Sequence, residues 1–176
     1  MLIGLIIIVF LLAVDQVTKY LAFTLIAPGF TGINRVVIPY LLELSYFENP
    51  AASLGMLGDF IYKDLVFFAI TIIALIIFGY LFTKVDFKKK KTYSIAVVLF
   101  IAGTLGNAVD RVIHGFVIDF LHYPFFDFLY QIGLSNFSNN MADNFLTFGI
   151  VLFAIDLLFL ENKRKEKVEV DDIENN

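Results

Sequence analysis

Residues 103–143 read GTLGNAVDRVIHGFVIDFLHYPFFDFLYQIGLSNFSNNMAD, and the fold turns on how this stretch is understood. The apolar run 93–112 leads into it and the run 141–160 leads out, each close to the roughly 20 residues a helix needs to cross a bilayer. Between and around the two runs polar groups collect: Asn107, Asp110, Arg111, Asp119, Asn140 and Asp143. Asp119 follows the end of one expected transmembrane helix, and Asp143 lies in the first turn of the next.

The rest of the chain explains why such a cluster stands out. Of 176 residues, 59% are hydrophobic and only 17% are charged, more apolar surface than a soluble domain of this length could hide. An integral membrane protein is therefore expected. With no cysteine, disulfides, thiol nucleophiles and cysteine metal sites are excluded. The two histidines, His114 and His122, form no H-E-x-x-H arrangement, and G-x-S-x-G, P-loop and G-x-G-x-x-G stretches are missing from the sequence. We expect no metal, no cofactor and no nucleic-acid partner. What remains for chemistry is carboxylate, amide and guanidinium.

Upstream, residues 61–83 give a second helix, followed by a run from Lys84 to Lys91 that holds five lysines. Residues 2–14 are continuously apolar and the run resumes after Asp15-Gln16-Val17-Thr18-Lys19 as far as Ile26. Lacking a basic leader region and a small-residue cleavage site, it is expected to be a retained helix rather than a cleaved signal peptide. Asp15 and Lys19, at i and i+4, share a face and can pair. Between Ala27 and Phe60 the pattern breaks at Pro28, Gly29, Gly32, Pro39, Pro50 and Gly55. There Leu42, Leu44 and Tyr46 alternate with Glu43, Ser45 and Phe47, which predicts short strands or an extended segment at the membrane surface. The expected layout is one four-helix domain over 1–160, with long loops at 27–60 and 113–140, and a polar, disordered tail over 161–176.

Orientation follows from the basic residues. They crowd the 84–91 connection and the segment Lys163, Arg164, Lys165, Lys167, whereas no lysine or arginine lies between Val112 and Asn140. The positive-inside rule predicts both termini in the cytoplasm and both long loops outside, so that Asp119 and Asp143 sit at the outer leaflet.

An ionisable residue within a membrane segment costs about 2.5 to 3.5 kcal/mol on insertion scales, so each requires a reason. Asn107, Asp110 and Arg111 share one face of a helix end, where they read either as a functional group or as a terminus with Arg111 complementing the helix dipole. Asn140 and Asp143, three apart, are equally a capping box, and capping would also aim the carboxylate. Asp119 is harder to explain structurally. Bulky apolar residues flank it in Gly115-Phe116-Val117-Ile118-Asp119-Phe120-Leu121, a setting that raises a carboxyl pKa. Two carboxylates sharing one proton can cleave a peptide without metal or covalent intermediate. His114 and His122 are read as interfacial loop residues, the run Phe116–Phe128 as an interfacial wedge, and Asp59, Asp127, Asp156 and Glu48 as facing solvent or headgroups.

These residues together resemble the bacterial lipoprotein signal peptidases, also called signal peptidase II or prolipoprotein signal peptidase. A D-x-x-T-K stretch stands at Asp15–Lys19 and a G-N-x-x-D-R motif at Gly106–Arg111. Val117-Ile118-Asp119-Phe120 matches V-x-D-F, and Asn140-Met141-Ala142-Asp143 matches N-x-A-D. The first loop departs from the family's N-x-G-A-A-F-G, since Asn49-Pro50-Ala51-Ala52-Ser53-Leu54-Gly55 has Ala51 for Gly and Leu54 for the aromatic.

The resemblance implies an all-α membrane protein of four transmembrane helices with a small extracytoplasmic β-platform and a short surface helix. It implies an aspartic endopeptidase of the bacterial cytoplasmic (inner) membrane, surrounded by membrane lipids, and a monomer is expected. Its substrates would be diacylglyceryl-modified prolipoproteins, cut just before the lipidated cysteine. On the matching positions, Asp119 and Asp143 would be the catalytic dyad. Asn49, Asn107, Arg111 and Asn140 would hold substrate or orient the dyad, and Asp15, Lys19 and Asp110 would be structural. A small transporter or proton-conducting protein is the alternative, because intramembrane Asp, Asn and Arg often mark ion pathways.

Overall fold

The computed structural model describes residues 1–29, 34–50, 63–128 and 138–164. Four helices in it are long and apolar enough to cross a membrane. They are α1 (Leu2–Leu21), α2 (Lys63–Phe82), α3 (Lys91–His114) and α4 (Met141–Ile155). Helix α1 continues through a π turn, Ala22–Ile26, and α4 through another, Asp156–Leu160, so both spans outrun their α-helical parts. Most side chains of α2 face outward, as expected of a helix that has lipid rather than protein for its surroundings.

Small residues let α3 and α4 pack backbone to backbone. A Cβ added at Gly103 would stand 2.6 Å from the Ala142 carbonyl oxygen, and one at Gly106 would stand 2.5 Å from Oδ2 of Asp15. Gly149 does the same further along, where Phe100 would be 2.8 Å away. Close approach of this kind replaces the hydrophobic drive that lipid removes. Ile8, Phe82, Val85, Val97 and Val98 pack together at the opposite end.

A four-stranded antiparallel sheet covers the end of the bundle where α1 and α3 finish and α4 begins. Its strands are β1 (Arg35–Ile38), β2 (Leu42–Asn49), β3 (Val117–His122) and β4 (Ser138–Asn139), in that spatial order. The alternation around Leu42–Phe47 thus does mark a strand. The 113–140 stretch, expected to be loop, instead supplies β3, which is buried along its whole length. Gly115 makes this possible. At φ 79° it ends α3 in the left-handed region, and the chain turns at once into the β-branched pair Val117-Ile118. Ile118 then packs with Ala22, Ile26, Phe120 and Leu121.

Four expectations need correction. Phe120 is core rather than interfacial wedge, although Phe125 and Phe128 are exposed. His122 is buried on β3, 3.2 Å from Asp127 and 3.9 Å from Glu43, so it is not a loop residue. Asp156 is buried rather than solvent-facing, because Arg164 binds both its oxygens, at 2.8 and 2.6 Å. Helix also runs as far as Arg164, into the stretch taken as tail. Asp59, the altered segment Ala51–Gly55 and residues 165–176 lie outside the described residues. The expected surface helix falls at such a boundary: the 3-10 turn Pro124–Phe126 is described and residues 129–137 are not.

Candidate active site

Asp119 and Asp143 arrive from different elements. Asp119 stands in β3 opposite Phe47 of β2, and Asn49, two residues beyond Phe47, shares its face of the sheet. From there Asn49 donates Nδ2 to Oδ2 of Asp119 at 2.9 Å. Asp143 is in the first turn of α4, and the capping box anticipated from sequence is present. Asn140 Oδ1 accepts the Asp143 N–H at 3.0 Å, while Asp143 Oδ2 accepts the Asn140 N–H at 3.2 Å.

Asn140 also joins the two acids. Its Nδ2 donates to Oδ1 of Asp119 at 2.8 Å and to Oδ1 of Asn107 at 3.1 Å. Asn107 in turn donates Nδ2 to Oδ1 of Asp143 at 2.7 Å. Every carboxylate oxygen of the pair therefore accepts at least one hydrogen bond. Burial, with the Asp143 charge adding to it, pushes the Asp119 carboxyl up to about 7, against the opposing pull of Asn49, Asn140 and Lys19.

Behind this pair lies a second polar layer. Lys19 is fully buried and bonds to Oδ2 of Asp15, Oδ2 of Asp110 and Oδ1 of Asn107, each at 3.0 Å. Asp15 also accepts the Ala142 N–H at 2.8 Å, and Asp110 the Ile118 N–H at 3.0 Å. One aspartate thus ties the start of α4 to α1, and the other ties the start of β3 to α3. Arg111 donates to the Asn107 carbonyl at 3.3 Å and lies over the Phe67 ring of α2 at 4.8 Å.

Gln16 was not singled out from sequence, yet its Nε2 contacts Oδ2 of Asp15, Oδ1 of Asp110 and the Gly106 carbonyl. A lone amide in an apolar helix was the available signal. Tyr123 was overlooked too, although its hydroxyl bonds Asn144 at the first turn of α4. His114 stacks on Phe23 and Phe116 and lines a cavity of about 280 Å³ with Gln16, Lys19 and Asp110, on which neither Asp119 nor Asp143 borders. Among the described residues no group of acids and histidines could hold a metal ion.

Comparison with known proteins agrees with the resemblance. The lipoprotein signal peptidase of Staphylococcus aureus strain MRSA252 is 38% identical over 159 residues, 90% of each chain. That of strain JH9 is 37% identical over the same length and coverage. A solved structure described as a bacterial membrane enzyme, obtained by the in meso method at 2.3 Å, is 36% identical with a TM-score of 0.70 and covers 88% of this chain and 87% of its own. A second, at 1.9 Å, is 35% identical with a TM-score of 0.72 and covers 89% and 93%. The family model for signal peptidase (SPase) II matches residues 7–159, and the chain belongs to that family.

Proposed function

We propose that this signal peptidase II family member is an aspartic endopeptidase in which Asp119 and Asp143 share one proton. The observation that carries this reading is the double attachment of Asn140, to Asp119 through its side chain and to Asp143 through its capping box. One residue thus brings together two acids 24 positions apart in the chain.

In the reaction, water attacks the scissile carbonyl carbon. The ionised acid takes a proton from the water while the neutral acid gives its proton to the carbonyl oxygen, and a gem-diol forms. Return of a proton to the amide nitrogen breaks the C–N bond and yields a carboxylic acid and an amine. Asn49, Asn107 and Asn140 hold the acids in register, and with Arg111 they offer polar partners to a peptide that has lost its helical hydrogen bonds.

The substrate in this proposal is a prolipoprotein whose cysteine already carries a diacylglyceryl group, cut just before that cysteine. Its acyl chains would lie among the lipids beside the exposed faces of the helices and hold the scissile bond at headgroup depth. The lysine-rich connection lies at the end of the bundle away from the sheet. With that connection and both termini in the cytoplasm, the sheet and the dyad are at the outer leaflet of the cytoplasmic membrane. The protein is taken to act as a monomer, its two acids and their described amide partners lying within one bundle.

The test uses purified protein in lipid nanodiscs with a diacylglyceryl-modified precursor and the same precursor unlipidated. Cleavage before the cysteine should occur in the lipidated form and be at least tenfold slower in the other. Equal turnover of the two would remove the lipid anchor from the proposal, and absence of cleavage in both would remove the activity.

A further inference from the structure

The dyad itself does not say which acid holds the proton, but the layer behind it does. Lys19 has three ammonium protons and three acceptors, Asp15, Asp110 and Asn107, at equal distances of 3.0 Å. An ammonium can only donate. The Asn107 atom facing Lys19 must therefore be its oxygen, and its NH2 must face Asp143. The constraint then travels onward. Asn140 is held by the Asp143 N–H on its own oxygen, so its NH2 points at Asn107 and Asp119.

We infer that Lys19 is a positioning residue for the dyad: through Asn107 it makes Asp143 the acceptor-only, ionised member and leaves the shared proton to Asp119. This inference rests on the assignment of the dyad made above. Asp143 has the better anion site, with the short 2.7 Å bond from Asn107, the Asn140 backbone N–H and the positive end of the α4 dipole all directed at it. Asp119 sits in a strand and, among the described residues, accepts only from the side-chain amides of Asn49 and Asn140. Its upward displacement to about 7, caused by burial and by the Asp143 charge, agrees with a carboxyl that holds a proton for about half the time near neutral pH. Other charged groups near the pair, among the described residues, are Asp15 and Lys19 from α1 and Asp110 and Arg111 from α3. His122 at the far end of β3 is engaged by Asp127 and Glu43. It follows that Asp143 takes the proton from water and Asp119 protonates the carbonyl oxygen.

Removing Lys19 alone would strand two buried carboxylates, so the test is made with Asp15→Asn and Asp110→Asn already in place. Both asparagines keep an oxygen for the Ala142 and Ile118 amides. Into this uncharged background go Lys19→Met, which fills similar space without a donor, and Lys19→Gln, which can still donate to Asn107. Lys19→Leu serves as a second donor-free replacement should the Met variant not fold, folding being judged from thermal unfolding in nanodiscs. The donor-free variant should show kcat at least tenfold below the Gln variant with KM within about threefold. The acid limb of its kcat–pH profile should move to higher pH, because an Asn107 free to turn its oxygen toward Asp143 makes that acid harder to ionise. Equal kcat and coincident acid limbs for the two would overturn the role of Lys19. Asp119→Asn and Asp143→Asn are run alongside: retained cleavage in either overturns the dyad and this inference with it. Loss in both, with the Met and Gln variants equal, overturns only the inference.

Discussion

Asn140 donates to Asp119 at 2.8 Å across a contact from which solvent is excluded, the two side chains being 0% and 1% exposed. The same asparagine caps α4, so the cap that starts a membrane helix also fixes the direction of an acid on a neighbouring strand. Asn140→Ala should therefore fail twice. Loss of the cap costs about 1 kcal/mol and lowers the unfolding temperature. Loss of the bridge should lower kcat by two orders of magnitude or more, about the usual range for general acid–base catalysis. Unfolding and cleavage assays on one preparation check both effects, and a variant with normal kcat would detach Asn140 from the proposed chemistry of Asp119 and Asp143.

Asp119→Asn and Asp143→Asn should each reduce cleavage by a factor of roughly 10² to 10⁴ or more, while circular dichroism keeps its helical signal. Substantial cleavage by either protein would take that residue out of the reaction.

The elevated Asp119 carboxyl also makes a statement about stability. A carboxyl near 7 in the folded protein and near 3.8 unfolded means that the native state holds more protons across that window. Stability from this group is complete below about pH 4, falls as pH rises to about 7, and is level above. The full change is on the order of a few kcal/mol, since one pKa unit is about 1.4 kcal/mol. Thermal unfolding followed from pH 4 to 8 should show that decline in the wild type and a shallower one in Asp119→Asn. Identical slopes would mean that Asp119 is not a raised carboxyl.

Gly106→Ala should act at a distance through packing. The added Cβ would meet Oδ2 of Asp15 at 2.5 Å and the Ala142 Cβ at 2.9 Å, so α1 and α4 must both give way. Overpacking of this kind costs about 1 to 3 kcal/mol, and because Ala142 adjoins Asp143, activity should fall with stability. A variant as stable and active as the parent would show that the helices part freely there.

Some of this was legible along the chain because its causes are local. Apolar runs near 20 residues mark the spans, since a bilayer tolerates little else. Asn140 and Asp143, three positions apart, mark a cap because one helical turn brings them together. Asp15 and Lys19 pair for the same reason. The alternation over Leu42–Phe47 gave away a strand whose Leu42, Leu44 and Tyr46 pack against the core, whereas Val117–His122 is covered on both faces, has no alternation and was taken for loop.

The tertiary structure alone decided where Lys19 donates. Its i+4 partner could be read from spacing, but Asn107, 88 positions away, could not. The bond from the Ala142 amide to Asp15 spans 127 positions and that from Asn49 to Asp119 spans 70. Such contacts follow from which helices meet and at what register, and close glycine packing sets both. The sequence by itself thus determined four spans, a capped helix and a stock of acids and amides. Packing decided that these acids and amides point at one another, because a hydrogen bond acts over about 3 Å in space and leaves no period in the chain.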